Sequence, residues 1–120
     1  MQDYSNCNNI HKKGWGYEVW ISNSKKYCGK ILHMKPNSIL SYHYHKIKHE
    51  TFFILEGGGT MILGEEGGLP SSCIKLKVGK SIEILPKTPH MVIAGDEGLN
   101  IMEVSTEHFE DDSYRILKGD

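Results

Sequence analysis

Three histidines and a glutamate fall in the eight residues His43-Tyr44-His45-Lys46-Ile47-Lys48-His49-Glu50, a density of imidazole found nowhere else in the chain. In a strand, side chains two apart share a face, so Ser41, His43 and His45 form one row and Leu40, Tyr42 and Tyr44 the other. Two imidazoles then converge on one side of a sheet. Glu50 follows a turn at Lys46 to Lys48 and opens a strand in which Phe52 and Ile54 share its face. With that apolar row turned to a core, the carboxylate faces inward too. It is costly there unless paired or bound to a cation, and a divalent metal held by the histidines supplies the partner. His90, after the stiff turn Pro86-Lys87-Thr88-Pro89, can add a fourth ligand from a distant strand. Three imidazole nitrogens and a carboxylate oxygen suit one divalent transition metal, Zn, Mn, Fe, Ni or Co, and ligand type does not choose among them.

The elements that must position these side chains are strands. Gly57-Gly58-Gly59, Gly64 to Gly68, Gly79 and Asp96-Glu97-Gly98 punctuate the chain at intervals of roughly 8–12 residues, as in a sandwich or barrel. The runs between them are rich in β-branched and aromatic residues. Strands are predicted at Tyr17–Ser22, Tyr27–Met34, Ile39–His45, Thr51–Glu56, Thr60–Leu63, Ile74–Leu76, Ser81–Leu85, Met91–Ala94, Leu99–Ser105 and Tyr114–Leu117. No apolar stripe of helical period runs for ten residues, so little or no helix is expected beyond a short turn at Glu107–Asp111. Residues 1–14 are expected to form a polar arm, with ordered structure starting near Trp15 and one domain over 15–120.

A chain of 120 residues, 38% hydrophobic and 24% charged, has the composition of a single soluble globular domain. Fourteen basic against fifteen acidic residues leave a net charge of -1, which provides no basic field for nucleic acid. No apolar run approaches the ~20 residues of a membrane span, and Met1–Ile10 lacks the pattern of a secretory signal, so a cytoplasmic location is expected. Cys7, Cys28 and Cys73 form no C-x-x-C pair and are expected to be reduced thiols.

The run His43-x-His45-x4-Glu50-x6-Gly57 resembles the first motif of the cupin superfamily, and Gly79 followed by Leu85-Pro86-Lys87-Thr88-Pro89-His90 resembles the second. The resemblance implies an all-β fold, a single small cupin-type jelly-roll barrel, with His43, His45, Glu50 and His90 as metal ligands. Asn37 stands where the first motif begins with glycine, and tolerates the left-handed conformation well. Lys87 replaces the turn glycine of the second motif and tolerates it poorly, so a different loop is expected before His90. Within the superfamily the chain is similar to the sugar isomerases, above all the cupin domain of type II mannose-6-phosphate isomerases. That likeness rests on Lys13-Gly14-Trp15-Gly16, Lys30-Ile31, Ser38-x2-Ser41, Met102-Glu103-Val104-Ser105, Glu110-Asp111-Asp112 and Arg115. It implies an aldose–ketose isomerase for a small sugar or sugar phosphate.

In that chemistry the metal polarises a carbonyl and a base moves a proton between neighbouring carbons. Glu103, flanked by Met102 and Val104, is the expected base, with Lys30 behind it. Arg115 and His108 are expected to bind substrate. His49 alternates with Glu50 and should point away, while His11 and His33 read as a solvated side chain and a satisfied strand histidine. Tyr42, Tyr44 and Phe53 offer apolar surface for a homodimer. Two alternatives share the metal site, a non-catalytic sugar-binding module and an Fe(II) dioxygenase. On sequence alone, proton competition at His43, His45 and His90 should weaken metal binding as pH falls through ~6.5.

Overall fold

Short β-rich runs broken by glycine and proline fold into nine strands and no helix in the computed structural model, which describes residues 1–120. They are β1 (Ile10–Lys13), β2 (Gly16–Asn23), β3 (Cys28–Met34), β4 (Ile39–Tyr44), β5 (Glu50–Gly64), β6 (Pro70–Leu76), β7 (Ser81–Ile84), β8 (His90–Ser105) and β9 (Tyr114–Leu117). The sheet runs β1-β2-β3-β8-β4-β9, and β5 pairs with β8, β6 and β7. Every pairing is antiparallel. Fold class follows from this pattern: an all-β barrel that curls a single sheet around one interior.

The two long strands are the spine. β5 and β8 stay paired from Glu50↔Ser105 to Leu63↔His90, so the two glycine-rich segments expected to be turns lie inside strands. Between Gly57↔Leu99 and Gly59↔Ala94, β8 carries Gly95 to Gly98 opposite the single residue Gly58. Gly57 and Gly98 both take φ of 79°, and a Cβ on Gly57 would fall on the Gly98 carbonyl. Glycine is therefore required for close backbone approach at a bulge, which bends both strands together. A bend of this kind and a reversal carry the same glycine signature in sequence, which is why the prediction split each strand.

Period-two alternation builds the interior in layers. Leu32, Ile101 and Ile54 stand level across β3, β8 and β5, and Lys30, Glu103 and Phe52 form the next level. Fourteen buried apolar residues, among them Met34, Phe52, Ile54, Met61, Val92, Leu99 and Ile101, make one core. Lys30, His45, Lys48, Glu50, His90, Glu103 and Asp112 are buried in the same interior.

Ordered structure begins before Trp15. β1 adds to the sheet edge through Ile10↔Val19 to Lys13↔Gly16. The residues before it cross the outer face, where Tyr4 N–H donates to Tyr17 Oη at 2.8 Å and Asn100 Nδ2 donates to the Gln2 carbonyl at 3.0 Å. Edge pairing satisfies this polar stretch without burying it. The expected helical turn at Glu107–Asp111 is only a two-residue turn at Glu110-Asp111.

The loop before His90 keeps the glycine-like conformation despite its lysine. Lys87 takes φ of 69° and Asn37 φ of 60°. The exposed Lys87 directs its N–H to the His45 carbonyl at 2.6 Å. A left-handed β-carbon costs energy that glycine avoids. Lys87→Gly should therefore raise stability by about 0.5–1 kcal/mol in urea unfolding, with m unchanged. A lower midpoint would show that the loop carries no such strain.

Candidate metal centre

His43 and His90 face each other across β4 and β8, while His45 lies just past the end of β4 and Glu50 is the first residue of β5. Three strand ends and one turn thus deliver four side chains to one point. Each imidazole gives its Nδ1 hydrogen to a backbone carbonyl: His43 to Ser41 at 2.7 Å, His90 to Thr88 at 2.9 Å and His45 to Asp112 at 2.6 Å. This fixes the tautomer and leaves each Nε2 as a free lone pair, the usual state of a metal-ligating histidine. The three histidines place their ligand atoms within 4.8 Å of one another. Glu50 Oε2 lies 3.5 Å from His45 Nε2 and 3.3 Å from His90 Nε2.

These short separations are not ion pairs in the metal-free protein. Burial depresses the histidines, His43 to about 3 with the help of His90, and His45 and His90 to about 4. Burial, reinforced by the Glu103 charge, pushes Glu50 up to about 8. All four groups are therefore uncharged near neutrality. Glu50 Oε2 and His90 Nε2 are sealed from solvent with no hydrogen-bond partner, an expensive arrangement for buried polar atoms. Ligand atoms bound to one ion at ~2.0–2.2 Å stand roughly 3–3.5 Å apart, the spacing seen around Glu50. The donor set fits one divalent transition metal, Zn, Mn, Fe, Ni or Co, which would satisfy the orphaned atoms and return Glu50 to its carboxylate.

The centre opens into a cavity of about 280 Å³. One wall is charged. Lys48 Nζ donates to Glu103 Oε2 at 3.0 Å, and Ser105 Oγ donates to the same oxygen at 3.1 Å. Burial opposes the Glu103 charge, but Lys48 and Lys30 outweigh it and hold the carboxyl below its usual range. For Lys48, burial is likewise outweighed by Glu103 and Glu50, and its ammonium is held above the usual range. Lys30 Nζ lies 3.4 Å from Glu18 Oε1 and 4.3 Å from the centre of the Trp20 ring. Trp20 in turn donates its Nε1 hydrogen to Glu18 at 2.8 Å. Arg115 and His108 line the same cavity. His108 packs edge-on to Trp20, and its Nδ1 is buried without a partner.

The structure thus brings together His43, His45, Glu50, His90, Glu103, Lys30, Arg115 and His108. His49 points away, to Glu83 Oε2 at 2.7 Å. His33 bonds Asn100 Oδ1 at 2.7 Å. His11 stacks on Trp20 at 4.0 Å and is not simply solvated. Tyr42 is buried, with its hydroxyl on the Gly68 carbonyl at 2.8 Å, and so offers no surface to a second subunit. Sequence reasoning missed Glu18 and the inward turn of Lys48. Lys48 was within reach, since it stands two residues before Glu50; Glu18 is identified only by its cross-strand neighbours.

No protein-family model matches the chain, and no curated protein sequence does. Among solved structures it is similar to a tryptophan-to-tyrosine variant of Bacillus subtilis oxalate decarboxylase, with 19% identity, a TM-score of 0.79 and 89% of this chain covered. It is also similar to Lactobacillus farciminis oxalate decarboxylase in its formate complex, with 19% identity, a TM-score of 0.77 and 89% of this chain covered. The chain spans only 30% and 33% of those proteins. The fold is the cupin-type jelly roll that the histidine motifs imply, and the chain has no helix long and apolar enough to cross a membrane.

The folded-state pKa values relocate the proton competition expected near pH 6.5. A histidine depressed by folding adds stability above its unfolded pKa and loses it as pH falls toward 4; a carboxyl raised by folding loses its contribution as pH climbs through 8. Metal-free protein should be most stable near pH ~6.5 and lose on the order of 1–2 kcal/mol by pH ~8. Saturating Zn(II) should abolish the alkaline loss by displacing the Glu50 proton. Urea midpoints from pH 5 to 8.5, with and without Zn(II), measure this. A metal-free stability still rising at pH 8 would contradict a protonated, buried Glu50.

Proposed function

We propose that the chain is a metal-dependent cupin enzyme, an aldose–ketose isomerase acting on a small sugar or sugar phosphate. The observation that carries this reading is a buried, ionised Glu103 sharing one cavity with the metal ligands and held there by Lys48 at 3.0 Å. Isomerisation needs a carboxylate beside a polarised carbonyl, and a bound ion supplies the Lewis acidity. Glu103 would take the proton from the carbon next to the carbonyl and return it to the carbonyl carbon, while the hydroxyl proton of the deprotonated carbon passes to the former carbonyl oxygen. Lys48 and Lys30, which line the same cavity, would supply positive charge to the enediolate oxygens.

Lining residues support the substrate class. Lys13, Trp15, Lys30, Ser41, Glu103 and Arg115, which carry the likeness to type II mannose-6-phosphate isomerases, all face this cavity. About 280 Å³ is at the lower edge of the ~300–1,000 Å³ typical of ligand sites, which favours a small, polar substrate. Arg115 and Lys13 provide charge for a phosphate. The proposal includes a cytoplasmic homodimer: Cys7, Cys28 and Cys73 are free thiols, and Phe53 and Val104 leave apolar side chains exposed on adjoining strands.

The solved neighbours, which are oxalate decarboxylases, favour one second reading, metal-dependent chemistry on a small carboxylate, with the Fe(II) dioxygenase as its oxygen-consuming form. The Zn-, Mn- or Fe(II)-loaded protein should interconvert at least one aldose–ketose pair, free or phosphorylated. Glu103→Gln should lower kcat by about 10²–10⁴-fold with metal content unchanged. Oxygen consumption or loss of oxalate only with Fe(II) or Mn(II), without isomerisation, would move the assignment to the second reading. Saturable sugar binding without turnover would instead make the chain a non-catalytic binding module.

A further inference from the structure

Asp112 does two things at once. Its carboxylate accepts the backbone N–H groups of Lys46 at 2.8 Å, Ile47 at 3.1 Å and Lys48 at 3.0 Å. Its own carbonyl accepts the Nδ1 hydrogen of His45 at 2.6 Å. The residue is 3% exposed, while Asp111 and Ser113 on either side are exposed. The turn it caps joins His45 to Glu50 and carries Lys48, the partner of Glu103. Lys46 to Lys48 lie outside any strand, so these three amides have no ladder partners. One residue of the C-terminal segment therefore sets both the path of the turn and the orientation of a ligand ring.

Other residues of that segment face the cavity. His108, Glu110, Ser113 and Arg115 line it, and β9 joins the sheet beside β4, with Arg115 opposite His43. Asp112 is not the only anchor of the segment. Asn23 brackets the His108 backbone with bonds of 2.8 and 3.0 Å, and Asp120 Oδ2 accepts the Ile39 N–H at 2.6 Å. A buried carboxylate aimed at the turn between two ligands is thus not the sole anchor of the segment, and it is placed to hold the metal centre.

We infer that Asp112 is a positioning residue that couples the C-terminal, cavity-facing segment to the metal centre; the inference rests on the metal-centre reading above. Outer-shell partners of ligating histidines carry roughly 10–100-fold in metal affinity. Coupling is reciprocal: whatever factor Asp112 adds to metal binding, metal binding adds to the docking of the turn and segment.

The test uses the full chain and Co(II) or Zn(II) alone as probe. Asp112→Asn should weaken Co(II) binding by about 10–100-fold and alter the visible absorption of the bound ion. Asp120→Asn, which loosens the same segment far from His45, should change neither beyond about twofold. In the wild type, Zn(II) should increase hydrogen-exchange protection at the amides of Lys46, Ile47 and Lys48, a readout that needs no variant. Unchanged affinity and spectrum in Asp112→Asn, equal weakening in Asp120→Asn, or amides indifferent to Zn(II) would each overturn the role of Asp112 and leave the metal centre standing. Failure of the wild type to bind Co(II) or Zn(II) would withdraw the metal centre itself.

Discussion

A carboxyl oxygen of Glu50 and the Nε2 of His90 lie 3.3 Å apart, sealed from water, and neither has a hydrogen-bond partner. Buried polar atoms without partners are rare in folded proteins, and an ion is one of the usual groups that complete them. Neutralising Glu50 and discharging the histidines lowers the cost of the metal-free state without removing it. A cation resolves the whole set together, because it accepts the imidazole lone pairs and stabilises the carboxylate at the same point.

The barrel is arranged to hold that point still. Antiparallel pairing puts His43 opposite His90, and the glycine bend in β5 and β8 keeps Glu50 and His90 on strands that pair on both sides of the bend. Backbone carbonyls of Ser41, Thr88 and Asp112 select the tautomer of each imidazole. The left-handed Lys87 places its amide on the carbonyl of His45, so the loop bearing one ligand braces another. Beyond this inner set, Glu103 with Lys48 forms a buried pair, and half-buried Glu18 pairs with buried Lys30, along the same cavity. Pairs like these contribute little net stability, and their position beside the metal centre fits a role in substrate chemistry.

Much of this was legible in the chain. Period-two alternation placed His43 and His45 on one face and Glu50 with Phe52 and Ile54, and the strand limits at Tyr114 and Leu117 agree with the structure. Local pattern reaches that far because side-chain direction in a strand is set by adjacent residues. What stayed hidden depends on distant pairing: Glu18 reaches Lys30 through the β2–β3 register, and Asp112 reaches the 46–48 turn across more than sixty residues. Glycine spacing could not separate a bend within a paired strand from a reversal, because both demand the same backbone freedom. Proton affinities were hidden as well, since the desolvation that shifts His43 and Glu50 comes from the whole fold.

Metal content tests the central claim most directly. Protein purified without chelator, or loaded with Zn(II) and desalted, should hold about one ion per chain by elemental analysis. His90→Ala should fold with the same β-sheet spectrum, because its apolar core is untouched, and retain less than about a tenth of that metal. Full occupancy in a folded His90→Ala variant, or a wild type that retains no divalent ion under any loading condition, would contradict the account.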